Sequence, residues 1–408
     1  MSNPARCVNV ADFKALARRQ LPRPLFDYIE GGADDEVTCR SNIGAYDRFE
    51  LVPGFLRDVR NIDLSRKVLG CELSMPLILA PTGMTRLFHP GGELAVASEA
   101  ARAGVGYALS TMATTSIEAV AGTGRGPRLY QLYLVNDDGV NREMVERARA
   151  AGYDALILTV DCIVAGNRER DLRNGLTVPP KLGLGSLSKF AVKPLWCLRY
   201  LASPAFDLPN LSSGKGGDVS TLASYFAANM KLSITWDDVA RVANWWNGPL
   251  AIKGLQATND VVKAADAGAS AVVLSNHGGR QLDFAPAPID LLADVVDHLG
   301  DRIEVLVDGG IHRGSQIAKA LAMGARACLV GRSYLYGVAA MGAPGVRRVI
   351  ELLRQELERT CGLLGCASVD ELGREHLRLA GLPPYFLADR DVPSSPSDSE
   401  TPLRSISR

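Results

Sequence analysis

The chain has 408 residues, 47% of them hydrophobic, and 45 Lys+Arg balance 45 Asp+Glu for a net charge of zero. That length supports one large α/β domain or two ordinary ones with a full core, and the balance argues against a nucleic-acid protein held by general electrostatics. No apolar run reaches the roughly 18 residues that span a bilayer. No secretory leader is recognisable, and the eight scattered cysteines show neither C-x-x-C pairs nor zinc spacing, so they read as reduced thiols of a cytosolic protein without a metal site.

In chain order, short aliphatic runs recur, each ending in small or polar residues. They are LILAPT (77–82), YALST (107–111), RLYQLY (128–133), ALILTVD (155–161), LAIKG (250–254), AVVLSN (271–276), EVLVDGG (304–310) and ACLVG (327–331). Between most of them, residues 91–104, 140–152, 258–268 and 314–324 carry apolar side chains at i, i+3/i+4 spacing and close on glycine, which predicts helices. Alternation predicts a parallel sheet. A doubly wound sheet alternates too, but eight strands with polar residues at nearly every carboxyl end favour a closed (β/α)8 TIM barrel, whose active sites sit on that face. The barrel, with an N-terminal helical segment, is expected over 1–390, and 342–365 is a strong helix that packs on it.

One interval is out of step. About 90 residues separate the fourth strand from the fifth, room for a helix and a long insertion over about 180–235. Within it, KFAVKPLWCLRYLASPAF (189–206) mixes basic and aromatic residues as a membrane-interface segment does. A lid, or a helix packed on the barrel face, is an equal alternative, because Pro194 and Pro204 break the periodicity. SSGKGGD (212–218) reads as a flexible loop, and the Ser/Pro-rich tail 391–408 as disordered.

The strand ends carry the chemistry. LSNHGGRQLD (274–283) delivers Ser275, Asn276, His277 and Arg280 into one loop on the barrel's top face. A lone histidine in a turn is usually structural. Beside an arginine that can clamp a carboxylate, at a barrel strand end, it reads as a base. Asp161 ends strand four and either orients that histidine or caps a helix. Arg168 follows in a charged run that by itself would be solvated surface. Lys253 closes LAIK and either is buried with a partner or stabilises an anion in the mouth. Gln131 and Tyr133 alternate onto one face of strand three, the bland readings being a satisfied amide and core packing. VDGGIHRG and VGRS, ending the last two strands, together form a phosphate signature that suggests a phosphorylated substrate or a nucleotide such as FMN. No G-x-G-x-x-G follows a strand, which weighs against NAD and FAD.

Together these motifs resemble the FMN-dependent (S)-2-hydroxy acid oxidase and dehydrogenase family, especially bacterial L-lactate and (S)-mandelate dehydrogenases. The resemblance covers about residues 8–380 and runs in order through DYIEGGADDE (27–36), APTGM (80–84), LST (109–111), QLY (131–133), TVD (159–161), KG (253–254), SNHGGRQLD (275–283), DGGIHRG (308–314) and GR (331–332). It implies His277 as the base facing the substrate α-carbon, with Asp161 stabilising its protonated form. Arg280, Arg168 and Tyr28 would engage the substrate carboxylate, and Tyr133 would hydrogen-bond near the hydroxyl. Lys253 would sit beside the flavin where negative charge develops. Ser110, Gln131, Thr159 and Ser275 would contact the flavin ring, over the backbone of Pro81, Thr82 and Gly83. Asp308, Gly309, Gly310, Arg313, Gly331 and Arg332 would hold the phosphate.

Four positions set this chain apart from some relatives. His312 stands where relatives more often carry the first of two arginines, with Arg313 expected to compensate. Met112 and Ala165 replace a tryptophan and a leucine of glycolate oxidases, implying room for a larger substrate side chain. Gly83 is alanine in many oxygen-reducing members, so a dehydrogenase passing electrons to a quinone is expected. It would lie peripherally on the inner face of the cell membrane through about 186–216, commonly as a homotetramer. A barrel segment starting so near the N-terminus leaves no expected haem domain ahead of it. The alternatives are a soluble oxidase making hydrogen peroxide and, in another class, a phosphate-binding isomerase or aldolase using Lys253 in a Schiff base.

Overall fold

The computed structural model describes residues 3–175, 189–211 and 230–381. The expected loop 212–218 and tail 391–408 lie outside them, as do parts of the insertion. Three short strands precede the barrel: β1 (Phe49–Leu51), β2 (Arg66–Val68) and β3 (Cys71–Leu73). The barrel follows as β4 (Leu77–Leu79), β5 (Gly106–Ser110), β6 (Arg128–Leu132), β7 (Ala155–Thr159), β8 (Leu250–Leu255), β9 (Ala271–Leu274), β10 (Glu304–Asp308) and β11 (Ala327–Val330), with β12 (Leu377–Leu379) after it. All eight barrel strands pair in parallel with their sequence neighbours, and β11 pairs with β4 to close the ring. Each of the eight expected strands is present in its expected place.

The strands are mostly apolar because both faces are covered, with polar residues gathered at their ends. Ala155, Ile157, Ala251, Val273, Leu306 and Leu329 meet inside, and the β2–β3 hairpin plugs the amino end with Val68, Leu69 and Leu73. Every residue of β7 and β9 is buried. The helices Gly92–Ala103, Asp138–Ala150, Thr258–Asp266, Gly314–Ala322 and Ala343–Leu364 match the periodic stretches. Among the described residues, no helix is long and apolar enough to cross a membrane, and the eight cysteines are free thiols.

Two features turn this scaffold toward its carboxyl face. The helices Arg23–Glu30 and Val37–Gly44 lean over the mouth, tied there by the loop after β9. Asp283 accepts from the Val37 and Thr38 amides at 3.2 and 2.7 Å, capping the second helix from 245 residues away in sequence. Asn276 and Asn42 exchange a reciprocal amide pair at 2.7 and 2.8 Å. The second feature is the excursion between β7 and β8, which is anchored on the barrel by Asn210, whose amide donates to Thr115 O at 3.1 Å. Leu208 and Leu211 are buried beneath it.

Candidate active site

A cavity of about 730 Å3 opens at the carboxyl ends of the strands. It falls in the range of cofactor and ligand pockets. Tyr28, Pro81, Thr82, Gly83, Ser110, Tyr133, Arg168, Lys253, His277, Arg280, Asp308, Gly309, Gly310, Gly331 and Arg332 all line it. Gln131, Thr159 and Ser275 are buried at the strand ends, and Asp161 is bonded to the base.

His277 follows β9 in the left-handed region at φ +56°. For a residue other than glycine that conformation is uncommon and is kept where function demands it. Gly278 and Gly279 continue the turn, and a Cβ on Gly279 would lie 2.5 Å from Cys39 N, so only glycine lets the loop pass the helix Val37–Gly44. The turn presents the imidazole to Asp161, whose Oδ1 lies 3.0 Å from Nδ1. Burial opposes the charge on Asp161, but the His277 imidazole and then Lys253 hold its carboxyl down at about 2. An ionised carboxylate fixes Nδ1 as the donor, and Nε2 keeps the lone pair. The close approach depends on Gly254, at φ +111°, where a Cβ would stand 2.6 Å from Asp161 Cβ.

Lys253 is buried, with Nζ 3.0 Å from both Asp308 Oδ2 and Ser275 Oγ. Burial works against its charge, but Asp308 and Asp161 raise the ammonium above its usual value. It is therefore held as an ammonium at neutral pH, whereas a Schiff base requires the neutral amine. Ser275 donates to Asp308 at 2.9 Å and accepts from the His277 amide at 3.0 Å, joining cation and base in one network.

The second wall is cationic. Arg280 stacks on the Tyr28 ring, its Cζ 4.8 Å from the centroid, and Arg168 stacks there at 5.3 Å. Arg280 Nη1 donates to Tyr28 O at 2.5 Å and Gly31 O at 3.2 Å. Burial, then the neighbouring Arg168, lowers the Arg280 guanidinium to about 10, still charged at neutral pH. Arg168 has Asp171 3.5 Å away. Two guanidiniums facing a cavity opposite a base make a receptor for a small carboxylate.

The phosphate end differs from expectation. Arg313 is not brought to the cavity: Nη1 pairs with Glu356 at 2.6 Å on an exposed helix start. Arg332 reaches the wall, but donates to the carbonyls of Ile29, Gly278 and Gly31 at 2.8–2.9 Å. Asp308 serves Lys253. His312 itself lines the cavity, its Nδ1 3.1 Å from Ser333 Oγ and its ring stacked on Tyr336. Burial, then Arg332 and Lys14, pushes its imidazole down to about 4.

Sequence reading missed Cys162. Its Sγ lies 3.2 Å from Asp161 Oδ1, 3.3 Å from His277 Nδ1 and 3.7 Å from Tyr133 OH. Adjacency to Asp161 was the only signal, and nothing in a lone cysteine directs it toward a histidine 115 residues away.

A flavin mononucleotide fits this chamber. At the carboxyl ends of β6 and β7, Gln131 Nε2 and Thr159 Oγ1 are buried without a hydrogen-bond partner among the described residues, as groups reserved for a polar ring edge would be. The model of FMN-dependent dehydrogenases matches residues 17–379. The chain belongs to that family. It is an FMN-dependent oxidoreductase, 42% identical over 376 residues to an L-lactate oxidase of Nostoc sp., covering 91% of this chain and 98% of that protein. Glycolate oxidase of Spinacia oleracea is 39% identical over 387 residues, covering 95% and 97%. The solved structure of the monotopic membrane protein (S)-mandelate dehydrogenase superposes with a TM-score of 0.88 at 37% identity, covering 91% of this chain and 99% of that one. Family membership, with the charged Lys253, sets aside the isomerase or aldolase reading.

Proposed function

We propose that this protein oxidises an (S)-2-hydroxy acid bearing a side chain bulkier than that of glycolate to its 2-keto acid, and passes the electrons to a quinone at a membrane surface. The observation that carries the reading is the His277–Asp161 pair facing Arg280 and Arg168 across one cavity. The arginines and Tyr28 bind the substrate carboxylate and so fix which face of the α-carbon meets the base. Nε2 of His277 accepts the substrate proton, and Asp161 stabilises the imidazolium that results. Lys253 holds positive charge where the ring edge of the cofactor would lie, with Gln131, Thr159 and Ser110 orienting that edge. Gly309, Gly310, His312, Gly331 and Arg332, which line the cavity together, would meet the phosphate. When bound, FMN supplies a two-electron acceptor.

Met112 and Ala165 line the cavity, consistent with a larger side chain. For the membrane surface, the support is the helix Pro194–Leu201, in which Leu195, Leu198 and Leu201 are each at least 60% exposed. Flavin reduction followed by stopped flow with lactate, mandelate, glycolate and longer hydroxy acids tests the substrate. Fastest reduction by glycolate would refute the larger-acid reading. Hydrogen peroxide formed in step with keto acid, at rates matching artificial acceptors, would make the protein an oxidase instead.

A further inference from the structure

A second cavity, of about 330 Å3, lies between the helix Pro194–Leu201 and the barrel. Phe88, Trp196 and Tyr200 form its aromatic lining, and Trp196 is locked by its Nε1 donating to Leu87 O at 3.0 Å. Its charged lining is entirely basic: Arg19, Arg86, Lys193 and Arg199, with His89 and no carboxylate. Among the described residues none of the four cations forms an ion pair; Lys193 donates to Arg19 O and Arg86 to Pro204 O instead. Burial and then Arg199 hold the His89 imidazole below its usual value. Four cations with no carboxylate among them line one cavity, and an anion entering it meets positive charge on every charged side. Paired guanidiniums match a phosphate in particular.

The surroundings say which phosphate. Leu198 and Leu201 face outward, Trp196 and Tyr200 face the cavity, and Leu195 and Arg199 lie at its edge between the two faces, with Leu195 still 60% exposed. With the leucines seated in an apolar layer, the cavity mouth stands at headgroup depth. We propose that this cavity is a phosphate site that takes the headgroup of an anionic phospholipid, gripped by Arg19 and Arg199 at the rim with Arg86 and Lys193 behind. The proposal rests on the membrane reading above. Phe88 lines this cavity and the active-site cavity alike, so a single ring separates the lipid seat from the chemistry.

The holoenzyme, titrated with vesicles of phosphatidylcholine alone and mixed with phosphatidylglycerol, and separately with inorganic phosphate by calorimetry, tests this. The wild type binds both vesicles and prefers the anionic ones. Arg19→Lys/Arg199→Lys keeps the charge but loses the guanidinium forks. It should lose on the order of tenfold in affinity for the anionic vesicles, while neutral-vesicle binding and flavin reduction stay unchanged. Saturable phosphate binding lost in the same variant, with no vesicle binding by the wild type, supports the site with free phosphate as its source and refutes only the membrane reading. A phosphatidylglycerol preference equal in wild type and variant, with no saturable phosphate binding, overturns the proposal.

Discussion

Two regions on the same face of the barrel treat charge in opposite ways. At the ends of β7–β10, Asp161, His277, Lys253, Ser275 and Asp308 are linked to one another by contacts of about 3 Å. Along the helix Pro194–Leu201, leucines are exposed, Arg86 and Lys193 donate to backbone carbonyls, and none of the nearby cations forms an ion pair among the described residues. A paired, buried network is rigid and holds a base where chemistry needs it. Unpaired charge beside exposed apolar surface is what an interaction site presents.

The sharpest way to break the contrast is to remove the base. His277→Gln is expected to keep FMN but to lower turnover on the order of 10²–10⁴-fold; near-full activity would return His277 to a structural role. Next is His312, whose folded pKa of about 4 lies below the ordinary histidine value. The sign follows: above about pH 6.5 the ring is neutral in both folded and unfolded chains, and its neutral form is what the fold accommodates. As pH falls from about 6.5 to 4 the unfolded chain takes up a proton that the folded one refuses, so stability falls by something on the order of 3 kcal/mol. In the FMN-free protein, His312→Asn should flatten that part of the stability profile, measured as the wild-type minus variant difference; parallel profiles would mean the ring is not held neutral.

Arg280→Lys should raise the hydroxy acid KM on the order of tenfold with a smaller change in kcat, because an ammonium cannot reproduce the two-pronged contact. An unchanged KM would remove Arg280 from the carboxylate site. The smallest effect belongs to the other region. Leu195→Gln/Leu198→Gln should weaken vesicle binding by about tenfold or less at unchanged flavin reduction, and equal binding would place the anchor elsewhere. Cutting out all of 186–216 is a poorer test, since it removes Leu208, Asn210 and Leu211, which pack on the barrel.

The contrast also marks what the chain discloses by itself. Strands such as ALILT and AVVL are legible because burial on both faces requires unbroken apolar runs, and SNHGGR because its turn needs glycines. His277, Asp161 and Arg280 could be named since each closes or follows a strand, and strand ends converge in a barrel. Partner choice was not legible. Asp308 looked like part of a phosphate loop and instead neutralises Lys253; Arg313 looked like a phosphate ligand and turns away to Glu356. Which of several nearby opposite charges a side chain meets depends on through-space geometry that local periodicity does not carry.

Barrel closure has one more consequence. The ring from β4 to β11 completes its hydrogen bonding without any contribution from the stretch between β7 and β8. Descendants of one ancestral catalyst can therefore lengthen, shorten or recharge that stretch and change where in the cell the enzyme works, while the reaction it performs is inherited intact.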